Sequence, residues 1–334
     1  MRGFSKRCAK REYAGFLTAC IYPYSLLDSH STKFLGFTKE EQDLAEDHFE
    51  NLGPLPRLFI GFVRNPEQLT GYELDRRDKI AGLTSDSLRH FVQKGGDLDL
   101  DAESQKLFLV RRDDLDELKI ASIGPITANV RMEITTVLDK MRRLDQIDLY
   151  HHLASYNASR KVAGLVYESV CHTLLQEGAE LRLWPMFKYL MQRNFHWETQ
   201  VNAMDQDELA VNFPQNSAFT YGDDQTSVER GRLHVPKASN KFTNDSFFLL
   251  GETLYILQFT MASRHDIKKT MEVSFSNLLN SFPPKTNWRF VFVVPPGHNV
   301  NASATPTMEE SLRGVALYLA HLDPNERTAA LALP

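Results

Sequence analysis

The sequence predicts an α/β protein in which helices flank a mixed β-sheet, preceded by a mainly helical N-terminal region. Two observations in the C-terminal half carry this prediction. A helical stripe of apolar residues runs through 158–177 and is followed by Gly178, a residue typical of helix C-termini. Further on, β-rich runs at 245–250 and 253–262 flank Gly251-Glu252, and glycine at the first turn position favours a type II′ hairpin.

The remaining elements are predicted from local patterns along the chain. Residues 38–50 are acidic and indicate a solvated helix that ends near Gly53. Residues 58–155 show apolar positions at a period of 3.6 residues, which favours mostly helix. Further strands are predicted at 180–184, 232–235 and 289–294, and further helices at 267–282 and 308–322.

Composition and charge exclude several classes of protein. Hydrophobic residues make up 42% and charged residues 24%, which is globular composition and excludes collagen-like, coiled-coil and wholly disordered chains. No apolar run approaches the ~20 residues that span a bilayer, so no membrane association is expected. The net charge of −5 removes the simplest nucleic-acid signal, a globally basic surface, but leaves room for a local basic patch.

Cysteines and the N-terminus bear on the cellular compartment. The chain has 3 cysteines at uneven spacing, which argues against a disulfide framework or a structural zinc site and indicates an intracellular protein. Basic residues between Arg2 and Arg11 precede a short apolar stretch that Pro23 interrupts, without a clear cleavage site. We therefore expect an intracellular, nuclear location, with secretion into a host cell as the alternative.

Three polar side chains converge at the end of the predicted hairpin. If Gly251-Glu252 is the turn, Asp245 faces Gln258, and directly opposed residues lie on one side of a sheet. Thr260, two residues further along, points to the same side. Because burying unpaired polar groups in so apolar a strand is unfavourable, the three side chains predict a polar site.

The helix at 158–177 adds a second acid, Glu168, on the flank of its apolar stripe. If that stripe packs on the sheet, Glu168 can reach Asp245 and Gln258. Oxygen ligands from one Asp, one Glu and one amide suit Mg²⁺ (or Mn²⁺), an ion that activates water and stabilises charge on a phosphodiester. We therefore predict a metal site formed by these three residues.

Basic residues flank the same hairpin and predict contacts with phosphates. The stretch 230–241 contains several bases and no acid, and more bases follow Thr260. The residues predicted to bind nucleic acid are Arg230, Arg232, Lys237, Lys241 and Lys268.

Four stretches carry a resemblance to a known family: SRKVAGLVYESVCH, LRLWPMFK, LYILQFTMASRHDIKK and NWRFVFVVPPG. They resemble the restriction-endonuclease-like, or PD-(D/E)xK, domain of the Crinkler–RHS-type effector proteins, most closely the versions from basidiomycete fungi. The resemblance covers roughly residues 50–325, and LYILQFT with the following His265 is its most specific part.

The resemblance implies three parts of the chain. Residues 1–60 would be a remnant of the C-terminal, lid region of an NTPase, 61–155 a helical connecting region, and 156–334 the nuclease-like domain. Full-length relatives carry a P-loop NTPase, whose G-x-x-x-x-G-K-[ST] pattern this chain lacks, so it looks truncated. An NTPase domain or partner chain is therefore expected beside DNA as a partner.

The resemblance also implies roles for the site residues. Glu168 would be the helix-borne acid, Asp245 the metal-binding aspartate and Gln258 the second motif ligand. Thr260 would stand where typical members carry lysine, and His265 completes the expected catalytic set.

Two functions stay open at this point. One is a metal-dependent nuclease acting on DNA, and the other is a catalytically inactive module on the same fold that binds nucleic acid or protein. Gln258 is neutral where glutamate is usual, and Thr260 cannot supply a cation, so both departures favour the inactive module. Glu168 could also form an ordinary surface salt bridge with Lys161 or His172.

Overall fold

The computed structural model describes residues that divide between two compact units. The first unit contains the described residues up to Gly82 together with 106–107, and the second contains the others. The described residues are 38–53, 61–96, 106–112, 121–191, 194–199, 208–216, 218–221, 227–236, 245–267, 275, 278–305, 310 and 312–325.

The first unit is built around helices α1 (Lys39–Leu52) and α2 (Glu67–Ala81). Helix α1 confirms the acidic helix predicted at 38–50, and Gly53 follows it with φ +91°. Arg76 of α2 is only 5% exposed and donates a hydrogen bond to the backbone oxygen of Asn51 (3.4 Å). The buried apolar side chains of this unit include Leu52, Phe62, Val63 and Ile80.

Four α-helices lie in the described part of the second unit, and the longest confirms the helix predicted at 158–177. Its apolar stripe is buried, with Val162, Val166 and Val170 at 0% exposure. It ends before Gly178, whose φ is +93° and where a Cβ would lie 3.1 Å from the backbone nitrogen of Gln215. No helix in the described part of the chain is long and apolar enough to cross a membrane. The four are α3 (Ser85–Gly96), α4 (Ala128–Leu138), α5 (Arg143–Ala154) and α6 (Arg160–Glu177).

The strands of the second unit, in chain order, are β1 (Phe108–Arg112), β2 (Ala121–Pro125), β3 (Ala179–Pro185), β4 (Phe187–Met191), β5 (Asn194–Glu198), β6 (Leu209–Phe213), β7 (Phe219–Tyr221), β8 (Leu233–Pro236), β9 (Ser246–Leu250), β10 (Thr253–Phe259), β11 (Arg264–Asp266), β12 (Trp288–Val294), β13 (Asn301–Ala304) and β14 (Ala316–His321).

An eight-stranded mixed sheet forms the centre of this unit, in the order β6-β3-β14-β12-β10-β9-β8-β7. Strand β10 pairs antiparallel with β9, as the hairpin prediction requires, and parallel with β12, which in turn pairs parallel with β14. Side chains at consecutive positions of β10 are buried from Leu254 to Phe259, so β10 is covered on both faces, as its nearly continuous apolar sequence indicates. The chain is therefore a mixed α/β protein, as predicted.

Two smaller sheets are also present among the described residues of the second unit. Strands β1 and β2 form an antiparallel pair, and β11-β13-β5-β4 form a four-stranded sheet. The four-stranded sheet contributes Trp197 and Ala302 to an apolar core shared with Ile256 and Phe292 of the large sheet. The large sheet and the four-stranded sheet therefore pack around one core.

The predicted helix at 308–322 is wrong in its second half, because residues Ala316–His321 form strand β14. Gly314 has φ +86°, a conformation that interrupts a helix. Beyond it, Leu317 and Leu319 are buried at alternate positions, and the strand pairs with β12 and β3 inside the sheet. Pairing with neighbouring strands thus determines that this segment is a strand, although its apolar residues also fit a helical period.

Several strands fall where the sequence predicts helix or loop. Strands β1 and β2 interrupt the predicted helical region 58–155, and β4 to β7 lie in the polar stretch between the predicted strands at 180–184 and 232–235. Most of the predicted helix at 267–282 lies outside the described residues, and its end is a 3₁₀ turn at Leu279–Ser281.

Candidate functional site

The β9–β10 hairpin has the register that its turn predicts, with Thr253 opposite Leu250 and Leu257 opposite Ser246. Gly251 has φ +57°, the positive value that the first residue of the turn needs. The backbone nitrogen of Asp245 donates to the oxygen of Leu257 (3.0 Å), which extends the pairing by one residue. Asp245 is thereby placed beside Gln258.

The carboxylate of Asp245 caps the end of β10. Its Oδ2 accepts one hydrogen bond from Nε2 of Gln258 (2.6 Å) and another from the backbone nitrogen of Phe259 (2.7 Å). The Asp245 side chain is 11% exposed. Two donors on one oxygen of a nearly buried carboxylate favour its ionised form.

Thr260 follows directly and is only 7% exposed. Its backbone nitrogen donates to Val293 (3.0 Å), and its hydroxyl oxygen accepts from the backbone nitrogen of Ala262 (3.0 Å). The hydroxyl therefore shapes the turn that leads from β10 to β11, which is a structural task for a residue predicted to be catalytic.

Glu168 of α6 lies close to Asp245, and Arg131 of α4 joins them. Nη2 of Arg131 is 2.7 Å from Oε2 of Glu168 and 3.9 Å from Oδ1 of Asp245. The two carboxylate oxygens are thus no more than 6.6 Å apart, the sum of these two distances. The helix-borne acid and the hairpin acid meet at one place, as the sequence predicts.

Burial and the neighbouring charges have opposite effects on the pKa values of Glu168 and Arg131. Burial raises the pKa of Glu168, and the neighbouring Arg131 guanidinium offsets only part of that effect. Burial lowers the pKa of Arg131, but the carboxylates of Glu168 and Asp245 outweigh it and leave the pKa raised. Arg131 is therefore charged throughout the ordinary pH range.

Arg131 is the site residue that sequence reasoning missed. It follows the buried Val130 in a helix whose cap, the Thr127 hydroxyl, accepts from the backbone nitrogen of Val130 (3.2 Å). An arginine beside an apolar helical stripe is ordinary surface composition, so no local pattern marks it. Only its tertiary contact with Glu168, 37 positions away, reveals its role.

A second buried polar cluster lies behind Glu168 on the same helix. Ser169 donates to Oδ1 of Asp139 (2.5 Å) and accepts from Nε2 of Gln146 (3.3 Å). The ring of His172 packs edge-on against Phe259 with centroids 5.0 Å apart, and burial lowers the pKa of His172 to about 4. His172 is therefore a neutral packing residue at pH 7.

A cavity of about 1420 Å³ opens at this point, and its charged lining residues are mostly cationic. Glu168 is its acidic residue, whereas the basic side chains come from several elements. Arg160 and Arg264 are exposed and make no hydrogen bond or ion pair with other described residues. Lys161 donates to Oγ of Ser122 (2.8 Å) on the opposite wall. The lining bases are Arg131, Arg160, Lys161 and Arg264, with His265 beside them.

The five predicted catalytic residues come together at this cavity. Glu168, Gln258, Thr260 and His265 line it, and Asp245 contacts Gln258 directly. The ring of His265 lies 5.4 Å from that of Phe292, between centroids.

The residues predicted to bind nucleic acid are placed differently. Arg230 pairs with Glu252 (2.6 Å) at the hairpin turn, about 20 Å along the strand from Gln258 at ~3.3 Å per residue. Arg232 pairs with Glu229 (2.6 Å), and neither arginine lines the cavity. Lys237, Lys241 and Lys268 lie outside the described residues. Of the bases that do line the cavity, Arg264 belongs to the bases after Thr260 that the sequence marked, whereas Arg131, Arg160 and Lys161 were not predicted to contact phosphates.

The donor set fits a hard divalent cation. Asp245 and Glu168 supply carboxylate oxygens, and Gln258 supplies an amide oxygen that accepts no hydrogen bond from other described residues. Among the described residues no third carboxylate, histidine or cysteine joins them. Arg131 must withdraw from the carboxylates before both can hold an ion.

Comparison of the chain with protein-family models, with curated proteins and with solved structures found no match. The resemblance to the Crinkler–RHS-type effectors therefore stays a prediction from the sequence. The same holds for the three-part division of the chain, the NTPase partner and the nuclear location, and residues 1–37 lie outside the described residues.

Proposed function

We propose that the second unit is a nuclease-like domain that binds DNA in the cavity and hydrolyses its phosphodiester bonds with Mg²⁺ or Mn²⁺. The observation that carries the proposal is the meeting of Glu168, Asp245 and Gln258 at a cavity whose charged lining residues are mostly basic. The positions of the two acids also support assignment to the restriction-endonuclease-like fold. One acid lies at a hairpin strand of the mixed sheet, and the other lies on a packed helix.

The basic side chains bind the substrate in this proposal. Arg160 and Arg264 present guanidinium groups that suit bidentate contacts with phosphate oxygens. Lys161 adds a third positive charge on the α6 side of the cavity. Since each neutralised phosphate releases counterions, binding should weaken steeply with salt although the whole chain carries a charge of −5.

The acidic side chains hold the ion. Asp245 and Glu168 would be its carboxylate ligands and Gln258 its amide ligand. A bound Mg²⁺ or Mn²⁺ supplies an activated water and stabilises negative charge on the phosphate. The hydrogen bond from Phe259 to Oδ2 fixes the Asp245 carboxylate in place, so the orientation of its other oxygen, Oδ1, is also set.

A non-catalytic binding module is the second candidate, and the position of Arg131 favours it. Its guanidinium already pairs with the two carboxylates, and the Thr260 hydroxyl is engaged in the turn to β11. On this alternative the cavity binds an anionic backbone without cleaving it.

Cleavage assays on the whole chain separate the two candidates. Plasmid and single-stranded DNA would be incubated with the protein and Mg²⁺ or Mn²⁺, using Asp245→Asn as the test variant. Asp145→Asn is the matched control, because Asp145 pairs with Arg142 (2.8 Å) outside the cavity. The proposal expects cleavage by the wild type and Asp145→Asn and none by Asp245→Asn. DNA binding without cleavage in all three proteins would select the binding module.

A further inference from the structure

Arg131 contacts both acids of the proposed metal site through one nitrogen. Nη2 lies 2.7 Å from Glu168 and 3.9 Å from Asp245, and the Arg131 side chain is one-third exposed (33%) where it lines the cavity. Its other guanidinium nitrogens make no hydrogen bond with described residues, and Nε is buried without a partner. Among the described residues the guanidinium is thus held by the acids alone, and it has open cavity beside it.

A guanidinium and a divalent ion need the same carboxylate oxygens. Mg²⁺ binds its oxygen ligands directly at about 2.0–2.1 Å and tolerates little distortion of its geometry. Arg131 donates to one oxygen of Glu168 and places its positive charge 3.9 Å from Oδ1 of Asp245, while Gln258 and Phe259 occupy the other oxygen of Asp245. Two cations cannot share these oxygens without strong repulsion in so buried a place.

We propose that Arg131 is a positioning residue that acts as a built-in counter-ion: it holds Glu168 and Asp245 together until a divalent cation replaces it, and it then turns to a phosphate in the cavity. This inference rests on the proposed function, because it assumes that the two acids hold the metal. The Arg131 ion pair and the metal exclude each other, because both need the carboxylate oxygens. Metal binding releases the guanidinium and a phosphate binds the released guanidinium, so metal and phosphate favour each other's binding.

Metal affinity in the absence of DNA tests the proposal. Mn²⁺ binding to the whole chain would be measured by electron paramagnetic resonance for the wild type, Arg131→Gln, Arg142→Gln and Asp245→Asn. Arg142→Gln is the matched control, since it removes an arginine that is 85% exposed and paired only with Asp145 among the described residues. We expect Arg131→Gln to bind Mn²⁺ at least about tenfold more tightly than the wild type, and Arg142→Gln to bind like the wild type. A merely structural role for Arg131 would weaken binding instead.

The outcomes of this experiment distinguish a failure of the counter-ion role from a failure of the proposed function. If Asp245→Asn abolishes Mn²⁺ binding but Arg131→Gln leaves it equal or weaker, the counter-ion role is overturned and the metal site stands. If neither the wild type nor Arg131→Gln binds Mn²⁺, both ideas are overturned.

If circular dichroism shows that Arg131→Gln does not fold, the variant Arg131→Lys tests the counter-ion role instead. Its shorter side chain carries the charge less far towards the two acids, so we expect it to bind Mn²⁺ at least about threefold more tightly than the wild type, and equal or weaker binding would overturn the role.

Discussion

The carboxylate of Asp245 should stabilise the second unit as well as serve its site, and replacing it with alanine tests this. Its Oδ2 accepts from the Gln258 amide (2.6 Å) and from the Phe259 backbone (2.7 Å), in a side chain that is 11% exposed. Hydrogen bonds to charged groups contribute about 1.5–3 kcal/mol each, so Asp245→Ala should lower the free energy of unfolding by about 3–6 kcal/mol. Asp245→Asn keeps an acceptor oxygen and should cost about 1–2 kcal/mol.

Urea unfolding followed by tryptophan fluorescence measures this change in the right part of the molecule. The chain has 3 tryptophans, Trp184, Trp197 and Trp288, and all lie in the second unit. Asp145→Ala, a change at an exposed ion pair, is the control and should shift stability by less than about 1 kcal/mol. If Asp245→Ala unfolds within about 1 kcal/mol of the wild type, the two hydrogen bonds do not hold the end of β10 and the reasoning is refuted.

Three further predictions concern the turn, the buried histidine and the cavity. Gly251→Val should destabilise the hairpin by about 1–2 kcal/mol through its positive φ alone, because an added Cβ meets no atom within 4 Å; urea midpoints equal to those of the wild type would contradict this. Burial lowers the pKa of His172 from its ordinary value near 6.5 to about 4, so the neutral form favours the folded state and stability is lost as pH falls from about 6.5 to 4. Over that pH range the free energy of unfolding of His172→Phe should therefore fall by up to about 3 kcal/mol less than that of the wild type. Parallel profiles of unfolding free energy against pH would refute the assignment of His172 as a neutral, buried residue. Lys161→Gln should reduce the slope of log DNA affinity against log salt by about 0.7–0.9, whereas an unchanged slope would remove Lys161 from the phosphate contacts.

The site was predictable from the sequence wherever local chemistry decides the structure. The glycine turn and the alternation of the flanking strands fix the register that brings Asp245 to Gln258. The apolar stripe of α6 orients that helix on the sheet and carries Glu168 to the same place.

The parts that could not be predicted depend on contacts far apart in the sequence. Arg131 reaches the acids from a separate helix, and nothing in its neighbours indicates that contact. Strand β4 is exposed at all five positions, so it shows none of the alternation that marks a half-buried strand. The local pattern of residues Ala316–His321 predicts helix. Their pairing with β12 and β3 makes them strand β14, and that pairing cannot be read from the local sequence.

The central claim is that Glu168 and Asp245 hold a divalent ion at the cavity wall, and crystals soaked in Mn²⁺ test it most directly. Anomalous diffraction should place one Mn²⁺ in contact with both carboxylates and with the amide oxygen of Gln258, with Arg131 turned away from the acids. Diffraction that shows Arg131 still between the two carboxylates, and no Mn²⁺ on either of them at saturating concentration, would contradict the claim and leave a binding module in place of a nuclease.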